Sequence, residues 1–190
     1  MIVGKIDTLE EIIETNNKRY LNLKRPIPSL FEDLFEKCMS ANIVIMITST
    51  LRTMEEQAAL YAQGRGGYVF RGKTYADLSN KKVTNAPPGR SYHEYGLAFD
   101  VAPYVPMSSI NSSLPSNLYQ LQWEYKYWNR IGEIGESLGL SWGGRWKSRP
   151  DRPHFELKGN MSLGTLYNRC VVEGKNLIIK GPPYAFEFTG

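Results

Sequence analysis

Four stretches of the chain place apolar residues at helical spacing, and a fifth is almost unbrokenly apolar. Leu9, Ile12 and Ile13 form a stripe that Asp7 or Thr8 can cap, with Glu10 and Glu11 near the positive end of a short outer helix running to about Asn16. Ser29 followed by Glu32 reads as a capping box, after which Leu30, Phe31, Leu34, Phe35 and Cys38 recur as the buried face of a core helix. A second box, Thr53 with Glu56, opens a helix through Ala58, Ala59, Leu60 and Tyr61 to Gly64, a residue suited to a left-handed C-terminal cap. Trp123, Tyr127, Ile131, Ile134 and Leu138 make the last helical stripe, which stops at Gly139. Between the second and third helices, the β-branched run from Asn42 to Thr48 has strand length and is apolar on both faces, as a buried central strand would be.

Elsewhere the pattern alternates. From Leu97 to Ala102 a period of two sends Leu97, Phe99 and Val101 to one face and Ala98, Asp100 and Ala102 to the other. From Pro153 to Leu157 it buries Phe155 and Leu157 and turns His154 and Glu156 to the opposite face. Gly96 allows a tight turn that brings His93 back toward Asp100. Residues 65–88 are glycine-rich, basic and polar, which predicts a long excursion holding a small hairpin. Residues 103–115 read as loop, and Trp142, Gly143, Gly144 and Trp146 form a rigid corner that delivers the chain to His154. Residues 165–190, with Cys170-Val171-Val172, Gly174 and Leu177-Ile178-Ile179, read as a terminal hairpin.

Length and composition narrow the class. A chain of 190 residues can bury a core without disulfides and predicts one domain. Hydrophobic residues at 42% and charged residues at 22% exclude disordered and fibrous classes. The net charge of +4 suits contact with an anionic polymer, although a surplus of this size is also ordinary and no block of like charges marks a nucleic-acid tract. Cys38 and Cys170 lie far apart in apolar settings, as buried free thiols do. The N-terminus lacks the features of a secretory signal and no apolar run is long enough to span a membrane, so synthesis in a cytoplasm is expected, without membrane insertion. The glycines of 65–88 are not followed by the Gly-Lys-Ser/Thr triplet of a phosphate loop.

The candidate chemistry rests on the chain's two histidines, each beside a carboxylate on a strand-like segment bounded by glycine or proline. His93, Asp100 and His154 together supply two nitrogens and a carboxylate, the ligand set of a single zinc ion with one open position. Such an ion lowers the pKa of water toward about 7 and polarises a carbonyl. Asp151, three residues before His154, is the candidate proton acceptor, and Glu156 the partner that orients an imidazole. Two structural histidines remain the alternative on spacing alone. A Ser91–His93 nucleophile pair is disfavoured, since residues two apart on a strand do not adopt triad geometry and no Gly-x-Ser-x-Gly elbow is present. Arg52 and Gln57 read either as a clamp for a substrate carboxylate or carbonyl or as a solvated helix start. Trp142 and Trp146 read as groove floor or as core.

These residues carry a resemblance. Ser91-x-His93 through Gly96-x-Ala98-x-Asp100, then Trp142-Gly143-Gly144 and Asp151-x-Pro153-His154-Phe155, resemble the zinc peptidases of the D-alanyl-D-alanine carboxypeptidase and VanY type (peptidase family M15). With Arg52, Gln57 and the run Ala59 to Arg65, the likeness covers roughly residues 28–158 and is nearest to the L-alanyl-D-glutamate endopeptidase branch found among phage endolysins. It implies an α+β fold with a small antiparallel sheet flanked by helices, zinc on His93, Asp100 and His154, Asp151 as base, and Arg52, Gln57 and Ser91 as substrate contacts. It also implies a monomeric enzyme that cuts the peptidoglycan stem peptide at the L-Ala-D-Glu bond after release from the cytoplasm, with no nucleic-acid partner. A D-Ala-D-Ala carboxypeptidase or dipeptidase is the second enzymatic expectation, and a catalytically silent wall-binding module the non-enzymatic one. The long stretch from Gly66 to Lys82, Arg145 at a position expected to be acidic, and the tail after about Lys158 depart from the pattern.

Overall fold

Helices and antiparallel strands mix along the chain, as the α+β expectation requires; the computed structural model describes residues 5–23, 26–159, 162–173 and 176–179. The first half holds β1 (Ile6–Thr8), α1 (Leu9–Tyr20), α2 (Ile27–Ser40), β2 (Val44–Ser49), α3 (Met54–Ala62), β3 (Tyr68–Phe70), β4 (Lys73–Tyr75) and a 3-10 turn at Tyr92–Tyr95. The second holds β5 (Ala98–Pro106), α4 (Met107–Ile110), β6 (Leu118–Leu121), α5 (Tyr125–Ser137), β7 (Ser141–Trp142), a 3-10 turn at Gly143–Arg145, β8 (His154–Glu156), α6 (Leu163–Arg169), β9 (Cys170–Glu173) and β10 (Asn176–Ile179). They group into two compact units, one of residues up to Thr50 with Ala98–Leu157, the other of Leu51–Leu97 with the chain from Lys158 on.

The first unit is built on β5. One edge of β5 pairs with β2, from Val44 opposite Tyr104 to Ile47 opposite Val101, with a bulge before Ser49 meets Asp100. The other edge pairs with β8 at Ala98–Asp100 and with β6 at Tyr104–Pro106. Residues 103–106, read from sequence as loop, therefore continue the strand, because Tyr104 and Val105 are buried on the same two-residue alternation that begins at Ala98.

β2 is consequently not central, and its outer edge is sealed by a helix. The Asn16 carboxamide donates to the Ile45 carbonyl and accepts from the Ile47 N–H, in the manner of a neighbouring strand, and Arg19 bonds the Ile47 carbonyl. That edge pairing carries α1 on to Tyr20, past the expected end at Asn16. Thr8 and Glu11 form its capping box. Helix α2 starts at Ile27, ahead of Ser29, because buried Ile27 and first-turn Pro28 set the entry; Ser29 and Glu32 do not act as a box.

Ile12, Val44, Met46, Ala102 and Tyr104 fill one side of the sheet. On the other, Phe99 packs edge-on against Phe31 at 5.5 Å and stacks on Phe155 at 5.7 Å. Trp128 is the buried aromatic of α5, whereas Trp123 precedes the helix and is exposed. Gly132 and Gly135 let α5 come close: a Cβ would stand 2.3 Å from Trp142 and 2.4 Å from Phe155.

In the second unit, the Thr53–Glu56 capping box forms as read, and Gly64 adopts φ +67°. The expected hairpin is β3 and β4, which cover Ala58 and Ala62 with Tyr68, Phe70 and Tyr75. The terminal hairpin is β9 and β10 with α6 ahead of it, and β10 lies against the Tyr92–Tyr95 turn. The part of that expectation beyond Ile179 lies outside the described residues.

Candidate active site

The alternation in β5 and β8 does for the site what it does for the core. Asp100 and His154 are register partners, and Ala98 stands opposite Glu156, so the polar side chains share a face with a small residue. The His154 Nδ1 lies 3.0 Å from Asp100 Oδ1, and its Nε2 lies 3.1 Å from Glu156 Oε2. Glu156 thus holds one ring nitrogen and turns the other toward Asp100, the orienting part expected of it. Burial pulls the imidazole pKa down, but the two carboxylates more than offset this and leave it at about 9.

His93 reaches the same place through local chain geometry. The 3-10 turn at Tyr92–Tyr95 closes on Gly96, whose φ of +68° and N–H bond to the His93 carbonyl complete the reversal before β5 begins. His93, Asp100 and His154 then each offer a ligand atom, all within 4.8 Å of one another. Two imidazoles and a carboxylate at that spacing can hold a divalent ion of borderline softness, so the residues present fit a metal.

The approach to His154 is fixed by the corner before it. Gly143 accepts the Asp151 N–H at 2.9 Å and the Asp151 carbonyl accepts the His154 N–H at 3.2 Å. A Cβ at Gly143 would stand 2.5 Å from the Asp151 carbonyl oxygen and 3.1 Å from the His154 Cβ, so only glycine fits. Trp142 is core, its Nε1 donating to the Arg152 carbonyl, whereas Trp146 is half-exposed with its ring 5.1 Å from that of His154. Arg145, where an acid was expected, pairs with Glu136 through Nε and Nη2. Asp151 is exposed.

Arg52, Gln57 and Ser91 line up differently from one another. The Arg52 backbone N–H donates to the His93 carbonyl, and its Nη1 donates to Gln57 Oε1 at 2.8 Å. Gln57 is fully buried, and its Nε2 donates to the Ala86 carbonyl at 2.6 Å. The carboxamide is bonded at both ends, so Gln57 positions Arg52 and the loop at Ala86. Ser91 is half-buried at the start of the His93 turn, where its N–H donates to Glu94. Glu94 also accepts from the Gly89 N–H; burial pushes its carboxyl up to about 7 against these bonds and the nearby Arg52 charge. Sequence reasoning missed Glu94, although its place three residues after Ser91 was a capping signal.

The family model described as D-alanyl-D-alanine carboxypeptidase matches residues 84–157, which include Ser91, His93, Asp100, Asp151 and His154. The chain is 32% identical over 152 residues to the peptidoglycan L-alanyl-D-glutamate endopeptidase CwlK of Bacillus subtilis (strain 168), covering 71% of this chain and 78% of that protein. Among solved structures, the L-Ala D-Glu endopeptidase ChiX of Serratia marcescens aligns with a TM-score of 0.46 and 21% identity, over 75% of this chain and 86% of that one.

Proposed function

This chain belongs to peptidase family M15, the D-alanyl-D-alanine carboxypeptidase family, and on that premise we propose that it is a zinc-dependent peptidoglycan hydrolase cutting the stem peptide between L-alanine and D-glutamate. The observation that carries the reading is the convergence of His93, Asp100 and His154 within 4.8 Å. The bond assignment is supported by the 32% identity to an L-alanyl-D-glutamate endopeptidase.

Zinc, when bound by these three residues, supplies Lewis acidity at the scissile carbonyl and makes water a nucleophile near pH 7. Glu156 keeps the His154 ring oriented for that role. Asp151, held by Gly143 on the approach to His154, takes the proton of the attacking water and passes it to the leaving nitrogen. Arg52, steadied by Gln57, meets a carboxylate or carbonyl of the stem peptide, with Ser91 as a second polar contact. The reading extends to an endolysin-like, bacteriolytic enzyme made in the cytoplasm and acting as a monomer on the wall after release.

Digestion of purified walls, with the new termini identified by mass spectrometry, tests the bond. New D-glutamate amino termini are expected; release of D-alanine alone would replace the endopeptidase with a carboxypeptidase, and binding without any cleavage would leave a silent wall-binding module. Asp151→Asn is expected to lower turnover by at least about 100-fold, the lower range for a lost general base, while zinc by metal analysis stays near one per chain. Unchanged turnover would remove Asp151 from the role.

A further inference from the structure

Glu94 is, at 1% exposed, the most deeply buried carboxylate among the described residues, and no step of the reaction above uses it. Burying a charge is costly unless its oxygens are well bonded, so the partners of Glu94 indicate what it is for. Its two side-chain hydrogen bonds both go to the loop that carries Ser91.

That loop is written into Pro87-Pro88-Gly89-Arg90. The Pro88 ring fixes the backbone as a type II turn needs at its second position, Gly89 supplies the positive φ of +80° at the third, and the Arg90 N–H closes on the Pro87 carbonyl at 3.0 Å. The turn leaves the N–H groups on either side of Arg90 to be bonded from elsewhere. Glu94 takes both, Oε1 accepting from Gly89 at 2.8 Å and Oε2 from Ser91 at 3.1 Å. The Tyr95 hydroxyl donates to the Gly89 carbonyl at 2.8 Å, so consecutive side chains of the Tyr92–Tyr95 turn hold one glycine by its N–H and by its carbonyl.

The residue type at position 94 follows from this loop. Two N–H groups aimed at two atoms of one side chain require an acceptor at each. A carboxylate has that, whereas a carboxamide has one acceptor and would set its own donor against the other N–H. The turn that carries His93 is held by different bonds: the His93 carbonyl accepts from the Arg52 N–H at 3.2 Å and the Gly96 N–H at 3.1 Å, and the Tyr92 carbonyl accepts from the Leu97 N–H at 3.0 Å. None of these uses the Glu94 side chain, so its loss loosens Gly89 to Ser91 and leaves His93 in place.

We propose that Glu94 is a positioning residue for the stem peptide: it sets Ser91 against the substrate through the backbone of Gly89 and Ser91, without itself touching the substrate. The role rests on the peptidase reading above, in which Ser91 contacts the stem peptide.

The test is a double-mutant cycle in the full chain, Glu94→Gln, Ser91→Ala and both together, reading KM and kcat on a soluble stem peptide and zinc per chain by metal analysis. Glu94→Gln is expected to raise KM about tenfold, the scale of one lost hydrogen bond to a charged group, with a smaller change in kcat and zinc near one per chain. In the double variant KM should match that of Ser91→Ala alone, because a residue that acts through Ser91 then has nothing left to position. Glu94→Asp, which keeps both acceptors on a shorter stem, should recover part of the loss, and it takes the place of Glu94→Gln in the cycle should the carboxamide not fold. Additive effects on KM overturn the proposal, as does loss of zinc at unchanged KM, which would place Glu94 in support of His93. A parent that cleaves no stem peptide overturns the peptidase reading, and this role falls with it.

Discussion

Gln57 shows what a residue's type conveys and what it does not. A polar residue one turn into a helix beside Arg52 reads equally as contact or as surface. The structure buries it completely, with one end of its amide on Arg52 and the other on the Ala86 carbonyl. That pairing links α3 to a loop 29 residues on, which no local pattern encodes. The ligand types were legible because chemistry limits them: two histidines and few suitable carboxylates. Gly143 was legible as a turn residue only, since its need for close approach arises from Asp151 folding back on it. Gln57→Ala should take the Gln57 donor from the half-buried Ala86 carbonyl and free Arg52 to wander, at a cost of about 1 kcal/mol for the lost hydrogen bond. Steady-state kinetics on the stem peptide should show a several-fold higher KM with a smaller change in kcat and zinc content unchanged. A fall in kcat alone would place Gln57 in the chemical step.

At the scale of elements, capping and periodicity predicted α3, the excursion's hairpin and most of α2 and α5. The start of α2 was missed for a local reason, Pro28 in its first turn, but two other errors share a cause: an end set by a partner distant in sequence. Asn16 extends α1 because β2 needs an edge partner, and β5 runs on through Pro103 and Pro106 because β6 pairs there. The same cause gives α6 a part beyond the family-like core. The ring of Tyr167 packs on Gly89, where a Cβ would stand 2.6 Å from its Cε2, while Gly89 donates to Glu94 and accepts from the Tyr95 hydroxyl. With φ +80° at Gly89, this loop leads to Ser91 and His93 and is held from three sides. Tyr167→Ala is expected to raise KM for the stem peptide with zinc retained, and Tyr167→Phe to restore it, because the contact is with the ring. Unchanged kinetics in the alanine variant would mean that α6 does not support the loop.

For the molecule as a whole, metal and proton compete for one imidazole, and the competition sets how stability depends on pH. In the metal-free chain His154 stands at about 9, above its ordinary 6.5. A histidine whose folded pKa is raised contributes stability below its unfolded value and loses it as pH climbs through the folded one. The metal-free fold should therefore weaken between about pH 6.5 and pH 9, by roughly 3 kcal/mol if the whole shift is expressed. Ion binding has the opposite slope, since a ligand nitrogen must first shed its proton, and apparent affinity gains about tenfold per pH unit below that value. At saturation each tenfold adds about 1.4 kcal/mol to the loaded form's advantage, or roughly 3–5 °C in Tm for a chain of this size. Thermal melts with excess zinc and with a chelator, at pH 6.5, 7.5 and 8.5, should show a gap that widens at each step. A gap independent of pH would mean that His154 does not exchange a proton for the ion, and would take it out of the ligand set that the register of β5 and β8 provides.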